Sequence, residues 1–270
     1  MINRRRMWAV MRKDWRELAR NKQAVTPLVI VPLLFVVALP LAVILLGDNA
    51  ALTSSVGGLQ AFLDHLPRGL IPGDLSERQA VVYAVLIYFM APLFLIIPVM
   101  IASITASSSF VGEKERRTIE GLLYTPLTDR ELVLAKILVS VVPSVLLVWT
   151  SFAIYTAIVD LIAAPRLGGV FFPTWTWVVI VVVLAPLVGF LATCLIVAVS
   201  GRSSTMQDAQ GAALLVVLPV IGMVVSQATG LLLFDITVAL TASAAVLVVD
   251  VGVYLAVVGR FRRERIVTRL

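Results

Sequence analysis

Six apolar runs, each about 20 residues or longer, recur along this chain, and that pattern restricts it to a membrane fold. They lie at about 25–46, 80–106, 132–159, 175–199, 211–234 and 237–258. Inside a bilayer no water satisfies exposed peptide groups, so each run must close its own hydrogen bonds as a helix. Pro27, Pro32, Pro40, Pro92, Pro98, Pro143, Pro186 and Pro219 fall within the runs. Bundled transmembrane helices accommodate such prolines as kinks. The fifth and sixth runs are separated only around Phe234 to Ile236, which fits a tight hairpin or a partly re-entrant segment. The expected fold is an all-α integral membrane protein with six transmembrane helices, forming a single transmembrane domain over residues 1–270.

Composition agrees. Hydrophobic residues make up 60% and charged residues 14%, and mean hydropathy is +1.01, far outside the range of soluble domains. One cysteine, Cys194, and one histidine, His65, leave no material for a disulfide framework, a His-based catalytic dyad or a multi-His metal site. No metal site and no catalytic residue is expected.

The basic residues set the orientation. Arg4, Arg5, Arg6, Arg12, Lys13, Arg16, Arg20 and Lys22 precede the first run. Lys114, Arg116, Arg117, Arg130 and Lys136 lie between the second and third, Arg202 between the fourth and fifth, and Arg260, Arg262, Arg263, Arg265 and Arg269 follow the sixth. All fall on one side of a six-span topology, whereas the other side holds only Arg68, Arg78 and Arg166. Both termini are therefore expected in the cytoplasm, and the net charge of +6 is explained without nucleic acid. The late, long first run, with no small-residue cleavage site before another span, argues against a cleaved signal peptide.

Met7 to Arg20 reads as an amphipathic helix, with Trp8, Met11, Trp15 and Leu18 at helical spacing and Arg12, Lys13, Arg16 and Arg20 on the other faces. Such a basic helix is expected in the headgroup plane, as a topology anchor or as a sliding element that also contacts a cytoplasmic partner. The outer loop, about 47–79, is too small for an independent domain. Trp175 and Trp177 fit an interfacial aromatic belt.

The most charged segment is the insert EKERRTIEGLLYTPLTDRELVLAK, Glu113 to Lys136. Glu113, Arg116, Arg117 and Glu120 share one helical face, with Glu113–Arg117 and Arg116–Glu120 pairs at i,i+4. Ile119, Leu122 and Leu123 form an apolar stripe beside them. Pro126 disfavours helix at Thr125, and Thr128 with Glu131 has the form of a capping box that starts a new helix. Lys136, a turn inside that helix, is expected to snorkel to the headgroups. The insert is thus a short cytoplasmic helix, about 112–125, joined by a proline elbow to the third span. A solvated connecting loop is the plainer reading.

This segment resembles the signature of ABC-2 type ABC transporter permeases, a bacterial exporter family. The matching positions are Glu113, Glu115, Thr118, Ile119, Glu120, Leu122, Leu123, Thr125, Pro126, Glu131 and Lys136. KDWRELARNKQA near the start, SSTMQDAQ before the fifth run and the closing FRRERIVTRL are also similar. Arg117 departs from the family, which often has glycine before the motif threonine. The resemblance implies a subunit of the bacterial cytoplasmic membrane that pairs with a second permease copy, as a homodimer or paralogous heterodimer, and with two ABC ATPase subunits. It implies that Glu113, Arg116, Arg117, Thr118, Glu120, Leu123 and Tyr124 form a coupling helix that meets the ATPase. The chain has no G-x-x-x-x-G-K-[ST] phosphate loop, and no glycine is followed by lysine. ATP and Mg are therefore expected in the partner chain, with no cofactor and no enzymatic activity in this one.

Asp250 is the one acid deep inside a run. Carboxylates there are usually paired, protonated or functional. It could face the transport pathway, or be a protonated acid bonded to a neighbouring Ser or Thr. Ser103, Thr105, Ser107, Ser108 and Ser109 could line a vestibule or pack helices closely. The expected function is export of a hydrophobic or amphipathic substrate (drug, lipid or peptide) or a cation. The alternative is an ion-coupled secondary transporter or channel using Asp250.

Overall fold

The structure, a computed structural model, describes residues 4–46, 71–115, 128–200, 202–203, 205–229 and 231–260. Those residues are helical with short connections and contain no strand. We label the helices α1 (Arg4–Arg20), α2 (Ala24–Leu46), α3 (Glu77–Glu113), α4 (Glu131–Ala163), α5 (Trp175–Ser200), α6 (Met206–Ala228) and α7 (Ile236–Gly259). Helices α2 to α7 are the six long and apolar enough to cross a membrane.

Their exposure separates centre from rim. The apolar window of α3 is 72% buried, that of α7 only 17%, so α3 is the axis of the bundle and α7 lies at its edge. On α7, Ala239, Ser243, Asp250 and Val257 face inward while Leu240, Leu247, Val248, Val251 and Leu255 face out. An apolar outer face is what lipid tails solvate. Helix α6 ends at Ala228 and α7 begins at Ile236, where Asp235 accepts the Val238 N–H at 2.8 Å.

The prolines are absorbed in a specific way. π-Helical turns at Val85–Phe89 and Ile180–Leu184 precede Pro92 and Pro186. Proline lacks an N–H and its ring crowds the preceding turn, so a carbonyl one turn back loses its donor. Five residues before each proline, that carbonyl receives an indole N–H instead. Trp177 Nε1 donates to the Ile87 carbonyl at 2.8 Å, and Trp149 Nε1 to Val181 at 3.2 Å. Tyr155 adds a bond from its hydroxyl to the Leu86 carbonyl at 2.8 Å.

Trp177 is therefore not part of an interfacial belt. It is fully buried, stacked on Tyr155 with ring centroids 5.0 Å apart, while Trp175 is 76% exposed. Helical spacing alone could not separate the two, because the partner carbonyl lies on another helix.

Three helices approach closely at Pro98, Ser144 and Gly189. Ser144 Oγ donates to the Pro98 carbonyl at 3.1 Å, and a Cβ on Gly189 would stand 3.0 Å from Ser144 Oγ. Ser103, Thr105, Ser107 and Ser109 are buried, which favours close packing over a vestibule. Ser103 and Thr105 return their hydroxyls to carbonyls of their own helix. At the end of the bundle away from the insert, Arg166 Nη1 donates to the Ile44 carbonyl at 3.0 Å, a cation at the end of α2 that complements its dipole.

Candidate functional site at the root of the insert

Thr128 begins the helix that becomes α4, with the capping box its spacing requires. Its backbone N–H donates to Glu131 Oε2 at 2.9 Å, and the Glu131 N–H returns a bond to Thr128 Oγ1 at 3.3 Å. That cap sets the start of the helix, and Lys136, two turns further on, packs toward α3.

Lys136 is 1% exposed. Its ammonium bonds Glu113 Oε2 at 2.7 Å and the Ser109 carbonyl, lies 3.6 Å from Asp14 Oδ2 and sits 5.2 Å above the Phe110 ring. It does not snorkel to the headgroups. Its counter-charges are nearer, one on the end of α3 and one on α1.

Asp14 is held by Ser109, whose hydroxyl donates to Asp14 Oδ2 at 2.7 Å. Lys13 closes the network from outside, 2.5 Å from Glu113 Oε1 and 3.5 Å from Asp14 Oδ1. Among the described residues, two cations thus face two buried carboxylates. Burial disfavours the Lys13 charge, but the hydrogen bond to Glu113 and the charges of Glu113 and Asp14 outweigh that, holding its pKa above the ordinary lysine value.

Helix α1 reaches this site by packing. Met7 and Met11 bury against Leu132, Ala135 and Val139 of α4, and Trp15 Nε1 donates to the Val139 carbonyl at 2.9 Å. Of the expected stripe, Met11 is buried and Trp15 and Leu18 pack inward, while Met7 and Asp14 join the buried side in place of Trp8. Trp8 is 56% exposed. Much of the apolar side of α1 is consequently packed on α4.

Of the residues expected at the coupling site, Glu113 lies within the described residues. Its carboxylate is 3% exposed and turned toward Lys136 and Lys13, so it does not belong to an outward charged face. Helical backbone also continues from the second span through Glu115, which makes Glu113 the end of that span. Arg116, Arg117, Thr118, Glu120, Leu123 and Tyr124 lie outside the described residues, as do Pro126, the Ile119–Leu122 stripe and most of the 47–79 loop.

The sequence places Lys13 on a polar helix face and Ser109 in a candidate vestibule, and Asp14 is not singled out. A signal was present for Asp14, since it falls on the Met7–Met11 spacing, where a charge on a buried stripe demands a partner.

Asp250 is 2% exposed and faces the α5 side of α7, where Phe190 and Tyr254 meet with ring centroids 6.0 Å apart. Neither carboxyl oxygen has a hydrogen-bond partner among the described residues. The expected Ser or Thr partner is not seen there. Among the described residues no group of three or more His, Cys, Asp or Glu side chains could hold a metal.

Residues 8–240 match the family described as ABC-2 family transporter protein. The chain belongs to the ABC-2 transporter family. As an ABC-2 permease it is a multi-pass membrane protein and the transport subunit of an ABC transporter, in a family whose permeases pair with an ABC ATPase subunit. No curated protein matches this permease.

Proposed function

We propose that this permease is the membrane-spanning half of an ATP-driven exporter in the bacterial cytoplasmic membrane, with both termini in the cytoplasm. It would dimerise, with itself or a paralogous permease, and bind two copies of a separate ATPase that holds ATP and Mg. The cargo would be a hydrophobic or amphipathic drug, lipid or peptide, or a cation, moved outward.

The observation that supports this reading is the buried network Lys13–Asp14–Ser109–Glu113–Lys136, which ties α1, the end of α3 and the foot of α4 together. The insert, Arg116 to Leu127, is rooted between those two spans. In this reading Arg116, Arg117, Thr118, Glu120, Leu123 and Tyr124 meet the ATPase. Glu113 anchors their root, so a push on the insert is delivered to three helices at once.

Purification in mild detergent with the ATPase co-expressed tests the partnership, and Arg116→Ala or Glu120→Ala should uncouple ATP hydrolysis from transport while sparing membrane insertion. Transport by vesicles that contain neither ATP nor an ATPase subunit would reject the proposal and favour an ion-coupled carrier using Asp250.

A further inference from the structure

With Met7 and Met11 of α1 packed on α4, the second half of α1 presents charge outward. Lys13, Arg16, Glu17, Arg20 and Asn21 line an open groove of about 680 Å³. Lys13, Arg16, Glu17 and Arg20 are three, four and seven apart, so they share one helical face. Lys13 is engaged on its inner side by Glu113 and on its own helix by Glu17 at 3.6 Å. No ion pair among the described residues engages Arg16 or Arg20.

The depth of the groove is fixed by its last residue. Asn21 receives the Ala24 N–H on its backbone carbonyl at 3.1 Å, and Ala24 is the first residue of the span α2. The groove therefore ends where the apolar run of α2 begins, which is where a bilayer around that run would carry its lipid phosphates. Cations there are attracted to anionic lipid surfaces, by about 1 kcal/mol each.

We propose that the groove of Lys13, Arg16, Arg20 and Asn21 binds the phosphate of an anionic phospholipid in the leaflet at the insert end of the bundle. Arg16 and Arg20 supply the uncommitted charge and Lys13 the inner wall. The bound headgroup and Glu113 then share the Lys13 ammonium, which places a lipid at the edge of the buried network. The inference rests on the membrane location of the chain and not on ATPase coupling.

The test uses the full-length permease in nanodiscs of phosphatidylcholine with phosphatidylglycerol, with retained lipid read by native mass spectrometry. The wild type is expected to keep phosphatidylglycerol preferentially. Arg16→Gln with Arg20→Gln should lower that retention about twenty-five-fold, roughly fivefold per cation. Arg16→Lys with Arg20→Lys should keep most of it, which separates lost charge from lost folding. Glu17→Gln, which removes the one carboxylate in the groove, should raise it. Equal retention of both lipids by the wild type, or an unchanged preference in the double Gln variant, would overturn the proposal. So would inorganic phosphate displacing phosphatidylglycerol at millimolar concentration, since that would assign the groove to a free anion.

Discussion

Lys136 Nζ lies 2.7 Å from Glu113 Oε2 with both side chains at 2–3% exposure, so α3 and α4 are joined by an ion pair inside the protein. Removing one partner of such a pair leaves a buried charge uncompensated, which typically costs about 3–5 kcal/mol. Lys136→Met is expected to lower the thermal unfolding temperature in detergent sharply. Adding Glu113→Gln should recover part of the loss. A Lys136→Met protein as stable as the wild type would show that the network carries no structural load.

The outer arm of the network has a pH signature. The Lys13 pKa is raised in the folded protein, so its contribution is fully present below the unfolded value of about 10.4 and is lost as pH climbs through the folded one. Contact of α1 with α4, followed by Trp15 fluorescence, should therefore be unaffected by Lys13 from neutral pH to about 10 and weaken above that. A Lys13-dependent loss near pH 8, absent in Lys13→Met, would contradict the assignment.

Trp177→Phe keeps a ring in the aromatic cluster and removes the N–H bonded to the Ile87 carbonyl. Leaving that buried acceptor unsatisfied should cost about 1–3 kcal/mol. Pro92→Ala restores a backbone N–H five residues along, so the double variant should lose less stability than the two single losses added. Strict additivity in thermal melts would sink the claim that the indole replaces the missing proline donor.

Asp250 bears on both transport readings. Its oxygens have no partner among the described residues, and an apolar replacement of an unsatisfied buried group can be neutral or stabilising. Asp250→Leu is expected to match or exceed the wild-type melting temperature. If Asp250 serves cation transport, the variant should lose export of cationic cargo while neutral cargo is unaffected. A strongly destabilised Asp250→Leu would show instead that the carboxyl has a structural partner.

Much of the architecture was legible in residue order. Six runs of transmembrane length define the six spans, because backbone satisfaction in lipid depends on local helix formation alone. The Thr128–Glu131 cap was equally readable, since both of its bonds join residues three apart. The site was less so. Lys136 was visible, but its destination was not, because Glu113 and Asp14 come from other helices. Trp175 and Trp177 look alike in sequence, and only the Ile87 carbonyl beside one of them separates a surface side chain from a core one.

By itself, then, the sequence determined the six membrane-length helices, which follow from hydropathy and short-range hydrogen bonding. Only the tertiary structure decided that Asp14, Glu113 and Lys136 meet, that Met7 and Met11 of α1 pack on α4, and that Asp250 has no hydrogen-bond partner among the described residues. Those outcomes depend on how the helices are rotated against one another, which arises from packing between residues far apart in the chain.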